Sequence, residues 1–430
     1  MKSIGLISII SFCIVLFSSG IAESQETSSD PASYSFIKQE LNTGLVFSFG
    51  SEREELRTDV SRFFDQQKRG SAAFRWENRT RIFLPHRQET WGYLLEAGPW
   101  FGQGDIVDSS VVQKIDAGQK LTGIRGTIQV NYNSRFYFDQ KNYTLISIDA
   151  WGNYDLFRRN AEGSLTDSNQ VTMPYSEISE HSKFRYGFHA KAGWGIGRLN
   201  PVNHFVAATW LLETHYPGRL FSKDEIVAVA REIGRIKHQR NARSGHSSEN
   251  EVKLLTGFLR KEMLLKAPET IEPEWLLTEF RPRFEGTRFE FGPFFNYFNR
   301  EPDFVYGGYI KFENQKYCSL NRNRSFSAAL SYNGYKRSDW ILLETVLGWN
   351  FYPNLQNEYG FGVKYVPGMT VNGFDNLGTV RHNFIPYFEY FSQISSKYRI
   401  ETALAWRFAP NEQFMQPGPE VTVSVYRSKY

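Results

Sequence analysis

The clearest pattern in the sequence is an alternation of apolar and polar residues with a period of two. In residues 183–196 the even positions from Phe184 to Ile196 are apolar, whereas the odd positions carry a charged residue, a histidine or a glycine. Residues 123–132 and 397–408 repeat the pattern. Because successive side chains of a strand point to opposite faces, each segment predicts a β-strand with one apolar and one polar face.

Weaker alternation predicts further strands near 41–50, 71–84, 91–101, 143–157, 283–298, 303–314, 324–335, 339–352, 357–366, 381–393 and 419–428. Strands of soluble sandwiches are usually about 5–6 residues long, whereas many of these segments run for about 10–16. Strands cross a bilayer only as a closed ring, since lipid offers no hydrogen-bond partner to a free edge. We therefore predict an all-β, antiparallel transmembrane barrel of about 14 strands, with 12 or 16 also possible. The alternative is a soluble sandwich or solenoid.

One segment departs from the alternation and carries helical signals. Ser222 and Glu225 form a capping box, and the helix that follows has an apolar stripe of Ile226, Val229, Ile233 and Ile236. A helix before it and another beginning near Ser248 complete a helical insert over 199–282. We expect this insert to be periplasmic and either to plug the lumen or to dock a periplasmic protein.

The N-terminus has the form of a secretory signal peptide. A positive start at Lys2 precedes an apolar run from Ile4 to Phe17, and small residues lead to a cleavage site near Ala22. Export of a barrel indicates the outer membrane of a Gram-negative bacterium. The predicted division is a signal peptide in 1–22, a flexible segment in 23–40, barrel strands 1–6 in 41–198, the insert in 199–282, and barrel strands 7–14 in 283–430.

Connection lengths predict the orientation of the barrel. The connections 85–90 and 139–142 are short and those at 102–120 and 159–182 are long. Outer-membrane barrels have short periplasmic turns and longer external loops, so the long connections should lie outside. The insert then falls on the periplasmic side.

Composition narrows the class of protein. The chain has 430 residues, of which 41% are apolar, 16% aromatic and 22% charged, with a mean hydropathy of −0.45. These values exclude disorder and a bundle of transmembrane helices. Removal of the signal peptide would leave Cys318 as the single cysteine, so no internal disulfide is expected. A net charge of +4 gives no reason to expect nucleic-acid binding.

Residues on the polar faces of the strands are candidates for the lumen. They are Arg75, Arg79, Arg81, Arg125, Asp149, Arg185, His189 and Lys191. Because these residues carry charges of both signs, cross-strand ion pairs are favoured. The other interpretation is that Arg75, Arg79 and Arg81, which share one face, attract an anionic solute or lipid head group.

His189 is the candidate closest to catalytic chemistry. The neighbouring strand carries Ser147, Asp149 and Asp155 on the same face, which leaves open a Ser-His hydrolase on the barrel wall. The other interpretation is a hydrogen-bonded lumen histidine. We expect no metal site and no cofactor, since no ligand spacing for a metal occurs.

Gly193, Gly195 and Gly197 lie on the polar face of one strand. A nucleotide-binding loop would need a strand-to-helix turn that the pattern does not offer. We expect these glycines to let the helices of the insert, or an inserted loop, approach the barrel wall closely.

Three segments carry a family resemblance, namely Tyr186 to Val202, Ser222 to Ile226 and Arg288 to Gly292. With them the chain resembles uncharacterised outer-membrane β-barrel proteins of the Bacteroidota type that have a helical insert. The resemblance implies location and architecture and transfers no functional residue. The C-terminal run from Val421 to Tyr430 also resembles a last strand presented to the outer-membrane assembly machinery, with Tyr430 out of phase unless a bulge intervenes.

These features lead to one functional hypothesis and two alternatives. The first is a non-enzymatic, porin-like channel or porter for small or amphipathic solutes. The alternatives are an outer-membrane lipid hydrolase and a structural or secretion-associated adaptor barrel. The expected partners are outer-membrane lipid, the assembly machinery acting on the C-terminal strand, and a periplasmic protein at the insert.

Overall fold

The computed structural model describes residues 36–57, 61–110, 112–238, 248–266, 271, 275, 281–299, 303–336, 339–371, 380–395, 397–409 and 418–429. The predicted signal peptide and Tyr430 lie outside these residues. The strands are β1 Phe36–Arg57, β2 Arg62–Leu84, β3 Arg87–Ser109, β4 Gln113–Tyr137, β5 Asn142–Asp167, β6 Thr172–Pro201, β7 Phe284–Phe298, β8 Phe304–Ser319, β9 Arg322–Gly334, β10 Asp339–Phe351, β11 Asn357–Tyr365, β12 Gly368–Val371, β13 Phe384–Gln393, β14 Tyr398–Arg407 and β15 Gly418–Lys429. The helices are α1 Asn203–His215, α2 Lys223–His238 and α3 Ser248–Lys261.

The strands form one antiparallel sheet that closes on itself. Among the described residues, β1 to β11 pair in chain order, β11 then pairs with β13, β13 to β15 again pair in chain order, and β15 pairs with β1. Fourteen of the fifteen strands in the described ranges belong to the ring, and β12 adds only a short pairing to β10. The predicted antiparallel barrel of about 14 strands with a helical insert is confirmed. The described part of β15 pairs with both neighbours without a bulge.

An apolar belt surrounds the outside of the barrel. In β6 it runs from Phe184, which is 53% exposed, to Ile196, which is 55% exposed. At about 3.3 Å per residue and a tilt of about 40°, these 13 or so residues rise about 30 Å, the thickness of the hydrocarbon core of a bilayer. Phe49 on β1 pairs with Gly70 on β2, and Gly70 pairs with Phe101 on β3. The edge of the belt that is remote from the helices therefore continues across these three strands. The belt is the membrane-spanning part of the barrel.

Strands β1 to β6 continue well beyond this belt. The long connections predicted at 102–120 and 159–182 are wrong, because most of both segments is paired strand. Residues up to Ser109 and from Gln113 are paired strand, the Ser110 N–H donates to the Gln113 carbonyl at 2.8 Å, and a turn occupies 168–171. Beyond the lipid boundary the outer face meets water and no longer has to be apolar, whereas hydrogen bonding between strands continues. We call the extended parts of β2 to β6 the projecting wall, and this end of the barrel the hairpin end.

The three helices occupy the opposite end, which we call the helical end. They share a core in which Val229, Ile233 and Ile236 of the predicted stripe are almost fully buried and Ile226 is partly buried. The capping box is present: Ser222 Oγ accepts the Glu225 N–H at 3.3 Å, and the Glu225 carboxylate accepts the Ser222 N–H at 2.8 Å. The hydrogen bonds that the carboxylate accepts from the Ser222 N–H and hydroxyl lower the pKa of Glu225. Within the described residues, every helix is too short or too polar to cross a bilayer.

Candidate functional site

Contacts between strands that are not neighbours identify the inner face of the barrel. Arg135 on β4 pairs with Glu290 on β7 at 3.0 Å, although β5 and β6 lie between them. The phenol of Tyr143 on β5 also donates to Glu290, at 3.3 Å. Long side chains bridge intervening strands most directly across the concave side of a ring. The charged faces of the strands therefore line the lumen, and the apolar faces form the belt.

Two clusters of buried ions lie on the inner wall in the helical half of the barrel. In the first, Glu40 on β1 lies 2.8 Å from Lys38, 3.2 Å from Arg81 and 3.8 Å from Arg399. The second joins the Arg135–Glu290 pair to the neighbouring pair of Arg288 and Glu313. Buried charges require such partners, so both clusters hold the wall together rather than offering free charge to a solute.

The three arginines predicted on one face of β2 are each paired with a carboxylate. Arg75 contacts Glu96 at 2.6 Å and also donates to the Tyr426 hydroxyl at 2.9 Å. Arg79 pairs with Glu77, and Arg81 pairs with Glu40. Of the two interpretations left open by the sequence, this geometry favours structural ion pairs over an anion site.

Arg125, Asp149 and Arg185 also lie on the lumen face. Arg125 makes two hydrogen bonds to Asp155, at 2.5 and 3.1 Å. Asp149 is directly opposite His189 on the neighbouring strand, and Arg185 is opposite Asn153. The arrangement supplies both signs of charge at mid-height in the lumen.

His189 and Lys191 turn toward β7 and β8. The His189 ring is hydrogen-bonded to the side-chain oxygen of Asn296 and lies 6.1 Å from the Phe294 ring. The Lys191 ammonium lies 5.2 Å from the centroid of Tyr309. Among the described residues, His189 makes its hydrogen bond to an amide rather than to Ser147. The geometry thus offers a hydrogen-bonded lumen histidine and no Ser147–His189 pair.

The glycines of β6 accommodate a tyrosine and the neighbouring strand. A Cβ added to Gly195 would lie 2.3 Å from the Tyr143 ring and 2.6 Å from the Phe289 carbonyl, and one added to Gly193 would lie 2.3 Å from the Phe291 carbonyl. Gly197 has φ +97°, a conformation that favours glycine. The close approach expected from the helices is therefore made at Gly195 by Tyr143.

Helix α1 packs against the strand connections at the helical end. Val202 and Val206 form a buried cluster with Leu355, which lies between β10 and β11. The Phe205 ring meets Tyr317 of β8 edge-on, with centroids 6.1 Å apart. Helix α2 approaches β1, on another part of the ring. The helices therefore contact separate parts of the rim.

The segment that leaves the insert reaches the far wall. Arg281 contacts Glu389 on β13 and Glu401 on β14, each at 3.2 Å. Arg283 donates to the Leu320 carbonyl at 2.7 Å, and burial lowers the pKa of its guanidinium. Asn203 donates to the Arg281 carbonyl at 3.2 Å and accepts the Arg283 N–H at 2.9 Å, which fastens the start of the insert to its end.

Sequence reasoning did not find Asn203, Arg281 or Arg283. Their partners are distant in sequence, and alternation carries no information outside strands. One signal was present: Asn203 stands where the strand pattern ends and the apolar run of α1 begins. Within the described residues, no group of three or more potential ligands is placed to hold a metal.

No protein-family model and no curated protein matches the chain. Among solved structures, the translocator domain of the autotransporter NalP from Neisseria meningitidis is 7% identical with a TM-score of 0.34, covering 100% of this chain and 97% of that one. The P. putida toluene transporter TodX is 9% identical with a TM-score of 0.38, covering 93% and 92%. Pseudomonas putida OprB is 8% identical with a TM-score of 0.30, covering 91% and 92%. Likenesses this weak say nothing about activity, which must be inferred from the geometry.

Proposed function

We propose that the protein is an integral outer-membrane channel or porter for small or amphipathic solutes, closed at its periplasmic end by the helical insert. The observation that carries the proposal is the position of the insert at the helical end. Its helices contact the rim at β1 and between β10 and β11, and Arg281 reaches β13 and β14. Contacts with separate parts of the ring support the proposal that the helices lie across the opening.

The proposed orientation follows from the shape of the two ends. The helical end has turns such as 320–321, whereas β1 to β6 project at the other end. Outer-membrane barrels place short turns in the periplasm and longer extensions outside. The proposal therefore includes secretion with cleavage near Ala22, external hairpins and periplasmic helices that are also available to a periplasmic protein.

The test is the conductance of the full chain in planar bilayers. We expect low conductance from the wild type and large steps after deletion of 203–280. A finer variant is Arg281→Gln, which removes the ionic contact with Glu389 and Glu401 and should raise the frequency of openings. The control is Arg235→Gln, because Arg235 is half exposed and pairs with Glu232 within α2. Equal conductance of the wild type and the deletion variant would contradict closure by the insert.

The lipid hydrolase alternative has one observation in its favour. Ser179 Oγ lies 2.8 Å from His181 Nε2 on β6. Among the described acidic side chains, none is hydrogen-bonded to His181, and the pair faces inward rather than toward lipid. Release of fatty acid from phospholipid vesicles by the wild type, lost in Ser179→Ala, would establish hydrolysis in place of passive transport.

A further inference from the structure

An apolar groove opens on the outer face of the barrel, within the belt and toward its hairpin side. It has a volume of about 570 Å³ and lies over strands β2 to β6. Its floor consists of Ala97 on β3, Gly126 on β4 and Gly152 on β5, all at outward-facing positions. A Cβ added to Gly126 would have no heavy atom within 4 Å. At Gly126 the missing side chain therefore leaves open space rather than room for a neighbouring residue.

Larger apolar side chains border this groove. Phe74 on β2 and Phe184 on β6 form its sides, and Leu95, Ile128 and Tyr154 surround the floor between them. The volume falls within the range of about 300–1,000 Å³ that is typical of small-molecule sites. Because the groove lies within the belt, it faces the hydrocarbon of the bilayer. The apolar group that can fill it there is the acyl chain of a lipid.

Three cations face outward just beyond the belt, on the hairpin side of the groove. Lys68 on β2 and Lys120 on β4 are both exposed, and both pair with Gln103 on the strand between them. Their backbones are therefore about 10 Å apart, at about 4.8 Å between neighbouring strands. Arg158 on β5 is exposed and pairs with Thr122, which is two residues from Lys120 on the same face. The three long side chains can therefore meet at one point.

Among the residues that the structure describes, none of these three cations forms an ion pair. The nearest outward-facing carboxylates in register are Glu180, directly opposite Arg158, and Asp105, two residues beyond Gln103 on β3. The three cations thus differ from the lumen arginines of β2, each of which has its own carboxylate. Cations at the edge of a bilayer attract the phosphates of anionic lipids.

The spacing between the groove and the cations matches the length of a lipid. Lys120 lies six residues from Gly126 along β4, and Arg158 lies six residues from Gly152 along β5. At about 2.5 Å per residue along the membrane normal, each separation is about 15 Å. One leaflet has about 15 Å of hydrocarbon below about 5–7 Å of head group. A lipid whose phosphate meets the cations therefore has its acyl chains at the depth of the groove.

We propose that this surface binds one molecule of an anionic, phosphate-bearing lipid. One acyl chain occupies the groove, and Lys68, Lys120 and Arg158 hold the phosphate by charge-assisted contacts. In the proposed orientation this lipid belongs to the outer leaflet. The site lies on the outer face of the barrel, so it does not depend on what passes through the lumen.

The test is native mass spectrometry of the purified full chain in detergent, with lipid titrated to give the affinity of the one-to-one complex. Dioleoyl phosphatidic acid is the anionic probe, and dioleoyl phosphatidylcholine has the same chains on a head group without net charge. Dihexanoyl phosphatidic acid has the anionic head group on chains too short to fill the groove. Heat-modifiable migration on gels verifies that each variant is folded.

The cation variant replaces the three cations by glutamine: Lys68→Gln, Lys120→Gln and Arg158→Gln. Its matched control removes the same charge from exposed lysines of the insert: Lys223→Gln, Lys261→Gln and Lys266→Gln. The wild type and the control should bind dioleoyl phosphatidic acid about tenfold or more tightly than the phosphatidylcholine, since each Lys or Arg beside an anionic head group adds to the affinity. The cation variant should bind the two lipids equally.

The groove variant is Gly126→Leu, which places a side chain into the open space. It should weaken the binding of both dioleoyl lipids by about threefold or more, because the leucine takes space that the acyl chain would fill. Its matched control is Gly308→Leu, at an outward-facing position of β8 that is remote from the groove. A Cβ added there would lie 3.7 Å from the Gly292 carbonyl, an ordinary contact, so this control should keep the wild-type affinity.

Four results would each overturn the inference. The first two are equal affinity of the wild type for the two dioleoyl lipids and an unchanged preference in the cation variant. The third is unchanged affinity in the Gly126→Leu variant, which would show that the groove holds no chain. The fourth is equal binding of dihexanoyl and dioleoyl phosphatidic acid, which would indicate a site for free phosphate instead of a lipid. Conductance tests the proposed function separately from all four.

Discussion

Placing an arginine at different depths on the outer face of β6 tests whether the apolar belt is the membrane-spanning part. Phe188 lies within the belt, Phe184 lies at its edge, and Ile178 lies on the same face of the projecting wall, 59% exposed. The series Phe188→Arg, Phe184→Arg and Ile178→Arg therefore changes depth while keeping strand and face constant.

The expected costs follow from the depth of each residue. The middle of the belt in β6 is at Ala190, so Phe188 lies about 5 Å from the midplane at about 2.5 Å per residue along the membrane normal. Arginine near the midplane costs about 2–4 kcal/mol, and near the interface about 0–1 kcal/mol. Phe188→Arg should therefore cost about 2–4 kcal/mol, Phe184→Arg up to about 1, and Ile178→Arg close to zero.

The assay is urea unfolding of the chain refolded into vesicles, followed by the gel shift of the folded form. Phe188→Leu is the matched control, because Phe188 also packs on Phe295 with centroids 5.5 Å apart, and loss of that contact alone should cost about 1 kcal/mol. The reasoning would be refuted if Ile178→Arg were as costly as Phe188→Arg, or if arginine and leucine at 188 were equivalent.

Three further predictions concern the insert and its surroundings. Ile233→Ala should destabilise the insert by about 2–4 kcal/mol through a buried cavity, seen as faster amide exchange in the helices with unchanged exchange in the strands. Glu225 has a lowered pKa, so its contribution to the insert should be complete above its unfolded pKa of about 4.3 and be lost as pH falls toward the folded value. Exchange of α2 amides should show that loss in the wild type, and Glu225→Gln should remove this pH dependence. Gly195→Leu should displace the Tyr143 ring and lower the urea midpoint of the barrel, and Tyr143→Ala in the same chain should recover part of it; no recovery would show that another contact is responsible.

The membrane-spanning part of each strand could be predicted because lipid itself imposes the pattern. The predicted segment 183–196 nearly coincides with the belt from Phe184 to Ile196. The capping box of α2 was also predictable, since both of its hydrogen bonds lie within one helical turn. Features that are fixed by local physical rules can be predicted from a single sequence when the environment permits few other structures.

Features that depend on register and on distant partners could not be predicted. Arg75 donates to Tyr426, 351 positions away, and no local pattern reveals that β15 closes the ring beside β1. The projecting wall was missed because its outer face meets water, where apolar residues are no longer required and the alternation weakens. The ring contacts of Trp100, Phe157 and His181 were missed because the three residues come from separate strands and meet only once the register is known.

Every functional proposal depends on the chain crossing the outer membrane with hairpins outside and helices inside, and cysteine labelling tests this most directly. Cys318 is exposed at the end of β8, at the helical end. Ser168 is exposed in the turn between β5 and β6, at the hairpin end. An impermeant maleimide should label Ser168→Cys, in a Cys318→Ser background, on intact cells, and should label the native Cys318 only after the outer membrane is permeabilised. Labelling of Cys318 on intact cells, with Ser168→Cys protected until permeabilisation, would contradict the account.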